Sequence, residues 1–537
     1  MKAAFNTNQF FQRLLKPESL FSFILLATII LRFALLDLKL YHHDEAAHAW
    51  FAYQLLTKGT YIYDPMFHGP FLFYVTAGLF SLFGDSDLVG RLLPAFLGTA
   101  LVALVYPLYR MGYLDGRQMV VAALFLALSP NMVYFSRFLR NDIFIAFFSL
   151  LIVVAALAYC KSGKLRYALV AGSAAALGMS SKENMPIVLL IIGSYLVYAL
   201  WSRRLVFPPA WKRDLLLATA LAGGIIALFY SSFGVHPEIV LKAGQMAIDH
   251  WTAMHGVQRL GGPWFFYLIF FVLYEVPILL LAGMGLIQFI IGGTIVSSLR
   301  SWHSMRGKAA EEPTLSLPLR DWFFSAFRRP EKSVAYDPKL EFIRFSIWWM
   351  ITSLAVYAYI GEKVPWLILH QLLPMIFVAT YKIDRVKTVI IAIGLVFLIA
   401  MTLHIAFTPA DISEPIVQVQ NSEDLRDLMI HIDESDRVAI ASSTYWPLPW
   451  YYRGDRWLKF TFFGGKSNEG VLLSGDYDLI ITHDAESYEE LRGYEKTTQK
   501  LSYWVTYYEV QGRMIEYYFT RQSGVGSINI DIFRRMA

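Results

Sequence analysis

Side chains that can exchange protons are concentrated in the segment Tyr41–Pro70. It holds four of the chain's 12 histidines, and its ionisable acidic and histidine residues are His42, His43, Asp44, Glu45, His48, Asp64 and His68. The segment follows a long apolar run, where a carboxylate is costly unless it is paired or used. Residues 46–56 have a helical pattern, so Asp44 and His48 should share one face. Asp44 is therefore a candidate general base for a hydroxyl group, and capping of that helix is an equally favoured alternative.

Cationic side chains occur in three other short segments, which are Ser136–Asp142, Lys182–Asn184 and Gly361–Trp366. The cations are Arg137, Arg140, Lys182 and Lys363. A guanidinium fork matches phosphate oxygens, and a departing phosphate needs its charge stabilised. For the two arginines, an ion pair with Asp142 and extension of the side chains to water is an equally favoured alternative. For the two lysines, a position at a helix end without a role in phosphate binding is the favoured alternative.

The composition indicates that a membrane positions these segments. Of the 537 residues, 56% are hydrophobic and 17% are charged, and the mean hydropathy is +0.45. A soluble chain carries charge on about a quarter of its residues. Basic residues lie mostly in short loops between apolar runs, which indicates membrane orientation and excludes nucleic acid as a partner. We expect about eleven transmembrane helices: Leu20–Leu36, Leu92–Tyr109, Met119–Phe135, Ile143–Cys160, Leu165–Met179, Pro186–Trp201, Leu215–Phe233, one within Trp264–Val296, Phe342–Ile360, Trp366–Tyr381 and Val389–Phe407.

Loop charge predicts the orientation. With a cytoplasmic N-terminus, the inner loops hold more Lys and Arg than the outer loops, as the positive-inside rule requires. The excess of Lys and Arg in the inner loops is found only if Pro70–Phe83 is an interfacial helix and not a span. We predict a transmembrane domain over residues 1–407, with a first outer loop at 37–91 and a basic, partly disordered inner loop at 297–341. Residues 408–537 should form a small extracytoplasmic α/β domain, with strands near Arg437–Ser442 and Tyr477–Thr482 and a helix at Asp424–Ile432.

The motifs resemble those of the GT-C glycosyltransferases, in the group of protein O-mannosyltransferases and aminoarabinose transferases. The resemblance covers roughly residues 31–185. It consists of Asp44-Glu45 after the first span, His68-Gly69-Pro70 before an apolar helix, Gly90–Pro94 at the start of the second span, and Ser136-Arg137 with Asp142 five residues further. Gly69 departs from the His-Pro-Pro element of the mannosyltransferases. The segments Gly361–Leu367 and Tyr445–Tyr451 resemble a prokaryotic branch, whose archaeal members are linked to flipping of lipid-linked glycans.

The resemblance implies a mainly α, polytopic membrane protein of the cell membrane that transfers a sugar, most simply a mannose-like hexose. The donor would be a polyprenyl or dolichyl phosphate sugar, and the acceptor a hydroxyl of a protein or a lipid-linked glycan. The implied catalytic residues are Asp44, Glu45 and Asp142, and the implied donor-phosphate residues are Arg137, Arg140, Lys182, Lys363 and His68. We expect Asp44 and Arg137 to share one pocket at the outer membrane surface.

Three alternatives accompany this hypothesis. No cofactor is required, but a divalent metal at His43, Asp44 and His48 is a less favoured option because these are ligand types at suitable spacing. A non-catalytic, flippase-associated component would bind the same lipid-linked glycan without using Asp44 as a base. An ion-coupled transporter is weaker still, because it needs carboxylates within the spans and Glu275 is the main one.

Overall fold

The computed structural model describes residues 16–59, 61–257, 261–305, 336–408, 414–522 and 527–536. Helices form most of the chain up to residue 407. In chain order they are α1 Pro17–Phe33, α2 His43–Lys58, α3 Phe71–Phe83, α4 Asp87–Ala103, α5 Val105–Arg110, α6 Gly116–Leu128, α7 Pro130–Ser136, α8 Asp142–Ser162, α9 Leu165–Met179, α10 Met185–Trp201, α11 Trp211–Tyr230, α12 Pro237–Val257, α13 Phe266–Tyr274, α14 Val276–Met305, α15 Pro338–Tyr359, α16 Leu369–Ala379 and α17 Arg385–Phe407. The predicted mainly α membrane fold with a small C-terminal sheet domain is confirmed.

Four helical stretches of the described residues are long and apolar enough to cross a membrane: Asp87–Arg110, which joins α4 and α5, and the helices α8, α11 and α17. Two bent helix pairs raise the number to six if each pair is one span. The helices α3, α9, α10 and the stretch Pro365–Ala379 are apolar but shorter. The count of eleven spans therefore stays a prediction.

Two of the predicted spans are bent. The span Met119–Phe135 is divided into α6 and α7, which meet at an angle of 57° because Pro130 cannot donate the hydrogen bond that would continue a helix. The span within Trp264–Val296 is divided into α13 and α14, bent by 112°. The two bends touch, since buried Glu275 accepts hydrogen bonds from the Ser129 hydroxyl at 2.6 Å and the Asn131 backbone at 3.1 Å. Glu275 thus joins two helix breaks.

The inner loop predicted at 297–341 is shorter at both ends. Helix α14 continues to Met305, and α15 begins at Pro338 after Asp337, whose carboxylate accepts hydrogen bonds from Lys339 and Leu340. This is an N-cap, which fixes a helix start. The predicted disorder of this loop falls on residues 306–335, which lie outside the described residues.

The C-terminal region contains a six-stranded sheet. Its strands are β1 Val419–Asn421, β2 Val438–Ala441, β3 Phe460–Phe462, β4 Leu479–His483, β5 Tyr494–Trp504 and β6 Ser527–Arg535, in the order β1-β5-β6-β4-β2-β3. The central strands β2 and β4 pair in parallel, and β6 pairs antiparallel with both β4 and β5. Short helices complete the region: α18 Asp424–Asp433, α19 Leu448–Tyr451, α20 Glu469–Ser474, α21 Tyr507–Val510 and α22 Met514–Thr520. The two predicted strands and the predicted helix are therefore present.

The sheet region contacts the first loop through two carboxylates. Asp87 accepts hydrogen bonds from the Trp450 indole and from the Tyr451 hydroxyl, each at 2.7 Å. Arg453 pairs with Asp85 beside it. Part of the aromatic segment Tyr445–Tyr451 therefore docks against the helical region.

Asp87→Ala should loosen this attachment. The substitution leaves two buried donors without an acceptor, so we expect the free energy of unfolding to fall by about 2 kcal/mol. Thermal unfolding of the purified protein in detergent measures the change. Asp37→Ala is the matched control, since Asp37 is an exposed carboxylate of the same loop. An equal effect of both substitutions would contradict the docking role of Asp87.

Candidate active site

The side chains predicted to do chemistry converge on one cavity of about 260 Å³. All four predicted segments contribute to it. The first supplies residues within 42–48 and 66–68, the second Arg140, the third Lys182, and the last residues within 362–367. The complete lining is His42, His43, Asp44, Ala47, His48, Met66, Phe67, His68, Arg140, Lys182, His250, Trp251, Met254, Glu362, Val364, Trp366, Leu367, Gln418, Val419 and Trp504. The cavity therefore combines two cations, two carboxylates, five imidazoles and several aromatic rings.

Asp44 stands at the first turn of α2, but it is not the cap of that helix. His42 caps it, because its Nδ1 accepts the Asp44 backbone N–H at 3.0 Å and its own N–H donates to Glu45 at 3.0 Å. The Asp44 carboxylate is thus free to face the cavity with 30% of its side chain exposed. His48 lies one turn later and lines the same cavity, as the helical spacing predicts.

Arg140 is the ionic partner of Asp44. Its Nη1 bonds the Asp44 carboxylate, its Nε lies 3.5 Å from Asp142, and its guanidinium stacks 3.6 Å above the Trp366 ring. Burial would raise the pKa of Asp44, but the Arg140 guanidinium together with His43 and His42 outweighs it and holds that pKa well below its usual range. Asp44 is therefore ionised in the unliganded cavity.

Three buried imidazoles of the cavity wall, His42, His48 and His68, are neutral near pH 7. Burial, followed by repulsion from Arg140, lowers the pKa of His48 to about 3. Burial likewise lowers the pKa of His42 to about 4 and lowers that of His68. These three rings therefore add no positive charge to that of Arg140 and Lys182 in the cavity wall.

Asp142 does not reach the cavity. Its side chain is 1% exposed and bonds Lys182 Nζ at 2.7 and 2.9 Å, with His370 Nε2 at 3.3 Å. Asp142 thus holds Arg140 and Lys182, which do line the cavity, and a catalytic role for Asp142 itself stays a prediction that its buried position does not favour.

Glu45 is also structural. It is 2% exposed and pairs with the buried Arg91 through both oxygens, at 2.8 and 2.6 Å. It accepts a further backbone N–H from Leu139 at 2.8 Å. A carboxylate with both oxygens occupied in this way holds the loop together, and a catalytic role for Glu45 stays a prediction that these contacts do not favour.

Two predicted phosphate-binding cations do not line the large cavity. Arg137 donates to the carbonyls of Ala34 and Leu35 at 2.6 Å each, beyond the end of α1, and lines a separate cavity of about 20 Å³. Lys363 donates to the carbonyls of Tyr357 and Ala358 at the end of α15, at 2.7 and 2.8 Å. Both neutralise helix C-termini, where carbonyls lack partners. The expected pairing of Asp44 with Arg137 is therefore replaced by Asp44 with Arg140.

His68 lies in the cavity wall on an unusual backbone. The following residue, Gly69, donates its N–H to the Ser181 carbonyl at 3.1 Å, and a Cβ there would stand 2.2 Å from the Ser180 carbonyl oxygen. Proline, which the mannosyltransferase element has at this position, lacks that N–H and would clash. The departure at Gly69 is thus explained by the close contact between the two loops.

The metal alternative lacks support in the described part of the chain. There, no group of three or more His, Cys, Asp or Glu side chains is arranged to hold a metal ion. His43 lies 3.4 Å from Asp44, but His48 does not complete a set with them.

Part of the cavity wall was missed by sequence reasoning. Helix α12 contributes His250, Trp251 and Met254, and the C-terminal region contributes Gln418, Val419 and Trp504. The alternation of apolar and polar residues in α12 could have indicated a helix. Nothing in the sequence indicates that Trp504, at the end of β5, returns to the first loop.

The two adjacent acids of the first loop should behave differently on substitution. Glu45→Gln removes one partner of a buried ion pair, so we expect the free energy of unfolding to fall by about 3 kcal/mol or more. Asp44→Asn acts on a partly exposed pair and should cost less than about 1 kcal/mol. Thermal unfolding in detergent compares them, and equal losses would contradict the assignment of Glu45 as structural.

Comparison with solved structures finds low similarity over much of the chain. ArnT of Cupriavidus metallidurans bound to undecaprenyl phosphate aligns with 16% identity and a TM-score of 0.45, over 71% of this chain and 64% of that one. The oligosaccharyltransferase AglB of Archaeoglobus fulgidus aligns with 14% identity and a TM-score of 0.46, over 87% and 69%. The Pmt1–Pmt2 O-mannosyltransferase of S. cerevisiae aligns with 21% identity and a TM-score of 0.34, over 43% and 34%. No curated protein matches the sequence.

A family model matches part of the sequence. Residues 67–229 match the model of the family described as dolichyl-phosphate-mannose-protein mannosyltransferase. This segment includes His68, Arg140, Asp142 and Lys182 but begins after Asp44. The resemblance that the motifs predicted is thus confirmed over residues 67–229, which match the mannosyltransferase model.

Proposed function

We propose that the protein transfers a sugar from a polyprenyl-phosphate carrier to a hydroxyl acceptor, at the extracytoplasmic face of the cell membrane. The observation that carries the proposal is the ionised, partly exposed Asp44 carboxylate held by Arg140 in a cavity that also contains Lys182. A base and two phosphate-binding cations within one cavity meet the needs of glycosyl transfer from a phosphate leaving group. The mannosyltransferase pattern over residues 67–229 supports a mannose-like hexose as the sugar.

The low pKa of Asp44 suits this role once the donor is bound. The donor phosphate competes with Asp44 for the Arg140 guanidinium, whose fork matches two phosphate oxygens. As Arg140 turns to the phosphate, Asp44 loses part of its compensating charge and its basicity rises. The acceptor hydroxyl then gives its proton to Asp44 while its oxygen attacks the anomeric carbon. A single displacement of this kind inverts the configuration at that carbon.

The part of the cavity wall that comes from the C-terminal region supports an acceptor that is recognised outside the membrane. Gln418, Val419 and Trp504 of the C-terminal region face the cavity together with Trp251 of α12. Aromatic rings provide flat apolar surfaces, and an amide provides both donors and acceptors. A protein or lipid-linked glycan hydroxyl fits such a wall.

Asp44→Asn tests the base. The variant keeps the shape of the side chain but cannot take the acceptor proton, so transfer should fall by at least about 100-fold. The assay follows label from polyprenyl-phosphate [³H]mannose into the protein and lipid-glycan fractions of membranes that contain the protein. Full transfer by a folded Asp44→Asn variant would reject the catalytic role and favour the non-catalytic, flippase-associated alternative.

A second test separates the cations that face the cavity from those that cap helices. Arg140→Gln and Lys182→Gln should each weaken binding of dolichyl phosphate at least about tenfold, because each removes a charge-assisted hydrogen bond to the phosphate. Arg137→Gln should leave the affinity within about twofold while lowering thermal stability, because Arg137 serves the end of α1. Calorimetric titration in detergent measures the affinities, and a loss of binding in Arg137→Gln alone would reverse the assignment.

A further inference from the structure

His68 is held in a backbone conformation that residues other than glycine seldom adopt. Its φ is 69° and its ψ is −168°, a region that costs on the order of 1–3 kcal/mol for a residue with a Cβ. Hydrogen bonds from the residues that follow maintain it, since Gly69 and Phe71 donate to the carbonyls of Ser181 and Ser180 at 3.1 and 2.9 Å. Strain of this kind is retained where it places a side chain for function.

The strained backbone places the imidazole against a buried carboxylate. His68 Nδ1 lies 2.9 Å from Glu183 Oε2, and the other Glu183 oxygen accepts the Tyr63 hydroxyl at 2.8 Å. The Glu183 side chain is 5% exposed, so the pair is shielded from water. The carboxylate fixes the proton of the neutral ring on Nδ1, which leaves Nε2 as the nitrogen available to the cavity. The Trp251 ring lies parallel to the imidazole at 6.5 Å.

The charges around His68 depend on what occupies the cavity. Burial and repulsion from Lys182 lower the pKa of His68, while Glu183 opposes them, and Arg140 adds to the repulsion. His48, the other imidazole close enough to interact, is neutral near pH 7. Tyr61 and Tyr63 are neutral as well, because burial raises their pKa values. A phosphate anion bound by Lys182 and Arg140 cancels the two repulsive charges and leaves Glu183 to favour a proton on His68.

We propose that His68 takes up a proton when the donor phosphate enters the cavity and gives it to the phosphate oxygen that is released when the glycosidic bond breaks. This inference rests on the proposed function. The acceptor oxygen forms its bond to the anomeric carbon, and the electron pair of the broken C–O bond goes to the phosphate oxygen. That oxygen receives the proton from His68 Nε2, while the acceptor proton goes to Asp44. Asp44 returns its proton to water when the products leave, and His68 takes one up with the next donor.

The other imidazoles of the cavity lack this combination. His43 also meets a carboxylate, Asp44, but at 3.4 Å and with 47% of its side chain exposed. His48 is buried, and within the described ranges it forms no ion pair with a carboxylate. The charge of Asp44 favours a proton on His48, but burial and Arg140 outweigh it and lower the pKa. His68 therefore differs in having a buried carboxylate behind the ring and the cavity in front of it.

Proton uptake on donor binding tests the proposal. Dolichyl-phosphate mannose is the probe, because its phosphodiester does not titrate near neutral pH. The full-length protein is titrated at pH 7 in two buffers that differ in ionisation enthalpy, and the difference in heat gives the protons taken up. We expect an uptake approaching one proton for each bound donor, since the pKa of His68 is low in the free protein and rises in the complex.

The variants distinguish His68 from its neighbours. His68→Asn, in which asparagine tolerates positive φ as histidine does, should bind the donor without uptake. Glu183→Gln should reduce the uptake and serves as the second variant if His68→Asn does not fold. His48→Gln is the matched control and should keep the uptake. Transfer by the unsubstituted protein should also fall as pH rises through the His68 pKa of the complex, and this alkaline limb should be lost in His68→Asn.

The outcomes distinguish a failure of the proposal for His68 from a failure of the proposed function. Donor binding and transfer without proton uptake would overturn the role of His68 and leave the proposed function standing. Uptake retained in His68→Asn but lost in His48→Gln would also overturn it. Failure of the unsubstituted protein to bind dolichyl-phosphate mannose would reject the proposed function itself.

Discussion

Asp142 is the carboxylate around which the cavity is built. It begins α8, and its two oxygens collect Lys182 from the connection between α9 and α10, His370 from α16 and Arg140 from its own loop. Burying the Asp142 carboxylate without these partners would cost stability, because an unpaired charge would be left in an apolar surrounding. Burying the cations without Asp142 would cost stability for the same reason. Three segments far apart in the chain are therefore fixed relative to one another by one group that does not line the cavity. The positions of Arg140 and Lys182 follow from it.

The cations of this region fall into two sets, which the sequence alone does not separate. Arg137 and Lys363 bond backbone carbonyls at helix ends. Arg140 and Lys182 bond carboxylates and face the cavity. All four stand at similar places after or before an apolar run, so hydropathy and spacing describe them equally well. What distinguishes them is the direction of the side chain, and tertiary packing decides that direction. For the same reason, adjacent Asp44 and Glu45 take different roles, because one step along α2 turns Glu45 to Arg91.

Local rules predicted those features that local rules govern. The i, i+4 spacing placed Asp44 and His48 on one wall, and apolar runs placed β2, β4 and α18 to within about two residues. The bend at Pro130 was readable from proline chemistry but was overlooked within an apolar run. The sequence could not predict that Trp504 lines the cavity, because that position depends on how the sheet region docks against the helical region, for example at Asp87. Contacts between segments hundreds of residues apart leave no periodic trace in a single sequence.

Asp142, Glu45, Glu183 and Asp44 are carboxylates that form ion pairs near the site, and their exposures explain which of these four can change partners. Asp142, Glu45 and Glu183 are between 1% and 5% exposed, whereas Asp44 is 30% exposed. A buried carboxylate that loses its cation is left unpaired in an apolar surrounding, and the cost holds the pair together. Asp44 can turn to water or to a substrate when Arg140 is drawn away by a phosphate. Of these four, it is therefore the carboxylate whose charge can be used during a reaction without unfolding its surroundings.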